Sequence, residues 1–330
     1  MTTEFRKLPW DKGPTGQPRR IGIEIEMAGV ELEAMAAAVL AEFGGRLETE
    51  NPFVCRVRDT EFGDFQIELD ARVLKDRQFR KHLRSLGVEL NDQDNETLER
   101  WLAEVAGLLV PHEIVAPPLP LAALPRLDLV RAALQKQGAQ GTQTSLLYAF
   151  GLQINIEAHS LAAAWLTPIL QAFTLLYEAL VEAGNIDLSR QLSPYIRPFS
   201  GAYVRHILQP DYRPDLNGLI DDYLVYNPTR NRPLDLLPLF AEIDRERVLA
   251  APVEHELIKP RPALHYRLPN CEIDNPDWTL AHPFNDWVKV EQLAADPDLL
   301  ETARRQYLQR PGQALGQFRD QWTRWIRDWF

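Results

Sequence analysis

Gly22-Ile23-Glu24-Ile25-Glu26-Met27 alternates apolar and acidic residues without a break. In a β-strand successive side chains point to opposite faces, so Ile23, Ile25 and Met27 share one face and Glu24 and Glu26 the other. Two neighbouring carboxylates repel each other unless water, a cation or an arginine lies between them. The hexapeptide is therefore either a strand with a solvated acidic face or part of a site for a hard cation such as Mg²⁺, which takes oxygen ligands.

The same pattern recurs downstream. In the run from Asp64 to Asp70, Phe65, Ile67 and Leu69 alternate with Asp64, Gln66, Glu68 and Asp70. Glu113 lies in a short β-type run closed by Pro117, Pro118 and Pro120, because proline cannot donate to a sheet ladder. Leu152, Ile154 and Ile156 alternate with Gln153, Asn155 and Glu157, and a short strand around Leu264 sets His265 and Arg267 on one face. Pairing of these strands into one sheet would gather Glu24, Glu26, Glu68, Glu113, Gln153, Asn155, His265 and Arg267 on its polar surface. Carboxylates there suit divalent ions, and arginines suit bidentate binding of phosphate. The residues alone reach metal-dependent phosphoryl chemistry and stop there, since the chain carries neither GxxxxGK[ST] nor GxGxxG.

Between the strands, ELEAMAAAVLAEF reads as a helix stopped by Gly44-Gly45. A second strand signal runs from Phe53 to Arg58, with a turn around Asp59 to Gly63. Helices are expected over 72–91, from Asn95 through an apolar stripe at Leu98, Trp101, Leu102 and Val105, and over 126–137. Ser160 is the expected N-cap of a long, largely apolar and hence buried helix that contains Pro168 and ends at Gly184. The stretch 186–233, rich in Pro, Arg, Tyr and Asn, reads as irregular binding loops. In the tail, Phe318, Trp322, Trp325 and Trp329 follow helical spacing; this stripe is either docked on the body or a partner surface.

A net charge of −11, with 47 acidic and 36 basic residues and no dense Lys/Arg run, argues against nucleic-acid binding through the phosphate backbone. Cys55 and Cys271, without CxxC spacing, argue against a disulfide framework and a structural zinc site and point to a reducing cytoplasm. No signal-like N-terminal run and no stretch of about 18 uncharged apolar residues stands out, so no membrane association is expected.

Taken in order, GIEIEM, HEIVAPPL, GLQINIE and LHYRLPN followed by NDWVKV resemble the amidoligases of the glutamine synthetase and glutamate–cysteine ligase superfamily. The resemblance spans about residues 20–295. It implies an α+β, glutamine synthetase-like catalytic core: a curved antiparallel sheet with helices packed on one face, binding ATP with Mg²⁺ or Mn²⁺. The implied activity is phosphorylation of a carboxylate and attack on the acyl phosphate by an amine or ammonia, giving an amide. Small-molecule or peptide carboxylates and amines are the implied substrates, with a glutamine amidotransferase as a partner that could supply ammonia.

Carried over by motif, Glu24, Glu26, Glu68, Glu113 and His265 are the expected metal ligands. Gln153, Asn155 and Arg267 are expected by motif around the nucleotide, with Arg205 and Arg230 added from the arginines at 190–232, which suit an anion. Glu113 and Arg267 carry the catalytic roles. Two positions depart from the family pattern: Gln153 stands for a histidine, and His265 for a glutamate. Both changes remove negative charge or a usual ligand, which leaves open a second reading as a nucleotide- or peptide-binding scaffold that has lost the chemistry. The expected organisation is an irregular arm over 1–20, a catalytic domain over 21–295 and a helical extension over 296–330.

Overall fold

The computed structural model describes residues 4–69, 112–142, 150–186 and 196–309. The helices expected over 72–91 and after Asn95, together with Asp70 and the aromatic tail, lie outside the described residues. The chain is α+β with antiparallel strands, and it divides into two compact units. One comprises Gly22–Leu152 and Asn270–Leu280. The other comprises the N-terminal segment ending at Ile21, then Gln153–Pro269 and the chain from Ala281 onward.

The first unit contains most of β1 (Arg20–Met27), then α1 (Leu32–Phe43), β2 (Arg46–Asn51), β3 (Val54–Thr60), β4 (Gly63–Leu69), β5 (His112–Val115), β6 (Leu119–Pro120) and α2 (Leu124–Lys136). Its strands run in the order β2-β3-β4-β5-β1, and β6 also pairs with β1. Register follows the apolar alternation: Ile25, Ile114, Ile67 and Cys55 are successive cross-strand partners, and all are buried. A one-residue slip would turn this whole row to the polar face, so the pattern fixes the pairing. Helix α1 packs its buried Met35, Val39 and Phe43 beside β3, β4 and α2. Its end is set as expected by Gly44-Gly45. Gly44 has φ 66° and donates its N–H to Leu40 O, and Gly45 has φ 93°. A Cβ on Gly45 would lie 2.3 Å from Arg58 O, so only glycine fits where α1 turns into β2.

Strand β2 was not expected. Its sequence, RLETEN, lacks apolar alternation because it is an exposed outer strand with only Glu48 half-buried. The segment Asn270–Leu280 joins this unit through backbone and amide bonds. Thr142 N donates to Cys271 O at 2.8 Å, and Gln135 Nε2 donates to Ile273 O and Asn275 O at 2.7 and 2.8 Å.

The second unit holds β7 (Leu152–Glu157), α3 (Ala163–Ala183), α4 (Gly201–Ile207), α5 (Leu216–Tyr226), β8 (Leu234–Asp235), α6 (Leu237–Ile243), α7 (Arg245–Ala250), β9 (Ala263–Tyr266), α8 (Ala281–Ala294) and α9 (Pro297–Leu308). Its strands follow the order β7-β9-β8, all antiparallel. Helix α3 packs against α8 and α9. Among the described helices it alone is long and apolar enough to cross a membrane, at mean hydropathy 1.3, yet 72% of that stretch is buried inside the protein. That is the pattern of a core helix.

Two expectations are corrected here. The N-cap of α3 is Ala162, not Ser160; the Ser160 hydroxyl instead accepts Ala162 N at 3.2 Å, before the helix starts. The stretch 186–233 is not wholly irregular, since it carries α4 and α5. Ser200 caps α4 by accepting Tyr203 N at 3.2 Å, and Asp215 caps α5 by accepting Gly218 N at 2.8 Å.

The N-terminal segment is tied down by named groups. Arg6 N donates to Asn285 Oδ1 at 2.8 Å, and Asn285 Nδ2 donates to Glu4 O at 2.9 Å. The Arg19 guanidinium binds Glu291 bidentately at 2.8 and 2.7 Å, while its Nε donates to Glu157 O at 2.6 Å. Trp287 Nε1 donates to the same carboxylate at 2.9 Å. Both Arg19 and Glu291 are buried, so the pair is stable only because each polar atom finds a partner.

Candidate active site

The acidic candidates meet in the first unit. Glu26 lies directly opposite Glu113, and Glu113 directly opposite Glu68, so three carboxylates cross β1, β5 and β4 in one row. Directly opposite residues in an antiparallel pair have Cβ atoms about 4.5–5.5 Å apart. Glu113 is the middle member and only 2% exposed; Glu26 and Glu68 are half-buried. Glu24 shares their face one row along, opposite Val115, with Gln66 on the far side of Val115. The isoleucines between these residues occupy the opposite, covered face, so alternation alone delivers the carboxylates to one surface.

As they stand, the flanking carboxylates are turned to hydrogen-bond donors. Gly151 N donates to Glu26 Oε2 at 2.7 Å, and Gln66 Nε2 donates to Glu68 Oε2 at 2.6 Å. Among the described residues, no three His, Cys, Asp or Glu side chains form a ready metal-binding group. The donor set itself, carboxylate oxygens on adjacent strands with the central one buried, matches the chemistry of a hard divalent ion. Glu26 and Glu68 would exchange their present donors for such an ion.

The amide, imidazole and arginine candidates meet in the second unit. Asn155, His265 and Asp235 are successive cross-strand partners on β7, β9 and β8, at 7%, 2% and 0% exposure. Gln153, two residues before Asn155, donates its amide nitrogen to Asn155 Oδ1 at 2.8 Å and meets His265 Nδ1 at 3.2 Å. Arg230 Nε donates to Asp235 Oδ2 at 2.9 Å, and Leu237 N donates to Asp235 Oδ1 at 3.0 Å. Arg267 donates to Arg230 O at 2.7 Å, which anchors the loop carrying Arg230.

Burial pushes the His265 imidazolium well below the ordinary histidine range, and Arg230, Arg261 and Arg267 push in the same direction. Burial acts oppositely on Asp235, raising its carboxyl above the ordinary range although Arg230 and Arg267 oppose the shift. Arg205 lies on the exposed side of α4 and is not among the arginines acting on His265.

Two members of this cluster escaped sequence reasoning. Asp235 is brought beside His265 by register across a 30-residue connection, which no local pattern encodes. Arg261 sits between Pro260 and Pro262 just ahead of β9, and nothing in that local sequence relates it to His265.

A family model described as "Putative amidoligase enzyme" matches residues 17–289, from the N-terminal segment to within α8. The chain belongs to this amidoligase family, whose name is that of an amide-forming ligase. No curated protein and no solved structure matches the chain.

Proposed function

We propose that this protein is an ATP- and Mg²⁺-dependent ligase that joins a carboxylate to an amine or ammonia through an acyl phosphate, on a glutamine synthetase-like core. The row Glu26–Glu113–Glu68 carries this reading, because three carboxylates in register across adjacent strands present the oxygen ligands that a hard divalent ion takes. Glu24, Glu26, Glu68 and Glu113 would hold the divalent ion, which when bound would neutralise phosphate oxygens and so ease nucleophilic attack at phosphorus. Within the second unit, Arg230 and Arg267 are guanidinium groups of the kind that bind phosphate oxygens as charge-assisted donors. The carboxylate substrate attacks the γ-phosphorus of ATP, ADP leaves, and the amine then displaces phosphate from the acyl carbon.

The test is a panel of ¹⁸O-labelled carboxylates offered with ATP, Mg²⁺ and an amine or ammonium. The route requires one ¹⁸O to pass from the substrate into released phosphate, and Glu113→Gln should stop that transfer. Amide formation without label in phosphate would exclude the acyl phosphate. A folded protein that binds MgATP yet turns over no member of the panel would favour the scaffold reading, whose support is the Gln153 and His265 pair.

A further inference from the structure

His265 has one ring nitrogen satisfied and one not. A side-chain amide nitrogen carries two hydrogens, and Gln153 directs one to Asn155 Oδ1 and the other to His265 Nδ1. Nδ1 is then an acceptor, and the proton of the neutral ring resides on Nε2. That Nε2 is buried and has no hydrogen-bond partner. The carboxylate on the neighbouring strand, Asp235, is already engaged by Arg230 and Leu237 N. Buried donors are almost always paired, so an orphan of this kind asks for an acceptor from outside the chain.

The surroundings define that acceptor. Arg230 binds Asp235, the cross-strand neighbour of His265, and Leu257 O. Arg267, two residues after His265, donates to Arg230 O. With Arg261 they are half-buried and lower the pKa of the ring. A cation would be repelled there, and a metal would have to take the nitrogen that now carries the proton. An anionic oxygen suits both the N–H and the guanidinium groups. Several converging donors favour a group presenting several oxygens.

We infer that His265 is an oxyanion donor and not a metal ligand: its Nε2–H, with Arg230, Arg261 and Arg267, binds a phosphoryl group, and Gln153 holds the ring in the required tautomer. The inference deepens the proposed function, which already gives Arg230 and Arg267 to phosphate; the two are separable, because phosphate can bind here in a chain that forms no amide.

The experiment uses the full-length protein labelled with ¹⁵N in its histidine rings, in metal-free buffer, titrated with inorganic phosphate, ATP or acetate. His265 should show the Nε2–H tautomer throughout, and phosphate should shift that resonance. His265→Leu should weaken phosphate binding about tenfold or more, the loss expected for one hydrogen bond to a charged group. His265→Gln, which keeps an N–H donor, should recover most of it. A shift with ATP alone still supports the inference and assigns the phosphoryl group to the nucleotide. A ring protonated on Nδ1, displacement of the Nε2 proton by Mn²⁺ alone, or an equal response to acetate would overturn it. These ring measurements on the unaltered protein decide the matter even if His265→Leu does not fold.

Discussion

Glu26 and Glu113 are direct cross-strand partners in the β1–β5 ladder, and Glu113 faces Glu68 in the same way across β4. Like charges directly opposite each other are destabilising in a sheet. Under the proposed function, a divalent ion bound at this row offsets that repulsion.

Glu113→Gln retains the volume and removes the central charge. The expected outcome is an unchanged or slightly raised melting temperature together with Mn²⁺ affinity lowered about tenfold or more, the scale reported for disturbing even the supporting partners of metal ligands. Thermal unfolding and Mn²⁺ titration by electron paramagnetic resonance measure the two sides. A large stability loss with intact Mn²⁺ affinity would make Glu113 a structural residue.

Arg19 and Glu291 form a buried, bidentate pair, with side chains 1% and 0% exposed. Arg19→Met leaves the Glu291 carboxylate with only Trp287 Nε1 as its side-chain donor and should cost about 3–5 kcal/mol in urea unfolding. The double variant Arg19→Met, Glu291→Leu should lose less than the two single changes added together, because the partners are coupled. Additive losses would show that the pair contributes through packing alone.

His112 lies on the covered face of the first unit, opposite Met27 and Leu69, and its Nδ1 is buried without a hydrogen-bond partner. Burial holds its imidazolium below the ordinary value, with a smaller opposing effect from Glu33. Above about pH 6.5 the ring is neutral in both the folded and unfolded chain. Below that, the unfolded chain takes up the proton first, so stability falls as pH falls, until the folded ring titrates too. The slope reaches at most about 1.4 kcal/mol per pH unit for this residue. His112→Leu should flatten the stability profile below about pH 6.5. A profile as steep as before would remove His112 from the account.

Gly44 and Gly45 both have positive φ but differ in surroundings. Nothing lies within 4 Å of a Cβ built on Gly44, whereas one on Gly45 meets Arg58 O at 2.3 Å. Gly44→Ala should cost about 1 kcal/mol, from backbone conformation alone. Gly45→Ala should cost about 2 kcal/mol or more, because the backbone of β3 must also move. Chemical denaturation of the two variants side by side measures the difference, and equal costs would refute the close approach.

The strands that carry the carboxylates were legible because each buries one face, and burial on one side writes itself as alternation. Strand β2 buries almost nothing, so RLETEN holds no such record. Helices α4 and α5 were overlooked through the prolines and arginines around them, although Ser200 and Asp215 were cap residues in plain view. The carboxylates could be grouped from sequence since they share a residue type and a phase. Asp235 and Arg261 could not, because their role beside His265 arises from pairing between distant segments. His265 itself was read by its position in a family motif as a metal ligand. Its hydrogen-bond partner, the proton it carries and the arginines around it come from three-dimensional placement, and they point to the opposite charge.

The Arg19–Glu291 contact joins residues 272 positions apart. At about 5–20 residues per second, a ribosome needs roughly 15–55 s to make the stretch between them. Throughout that interval Arg19, just ahead of β1, has no Glu291 carboxylate to receive it. The second unit therefore cannot close around its first segment until α8 has been synthesised. Late truncations before residue 291 should leave a long-lived nascent species, with Arg19 held in water and Trp287 unanchored or missing.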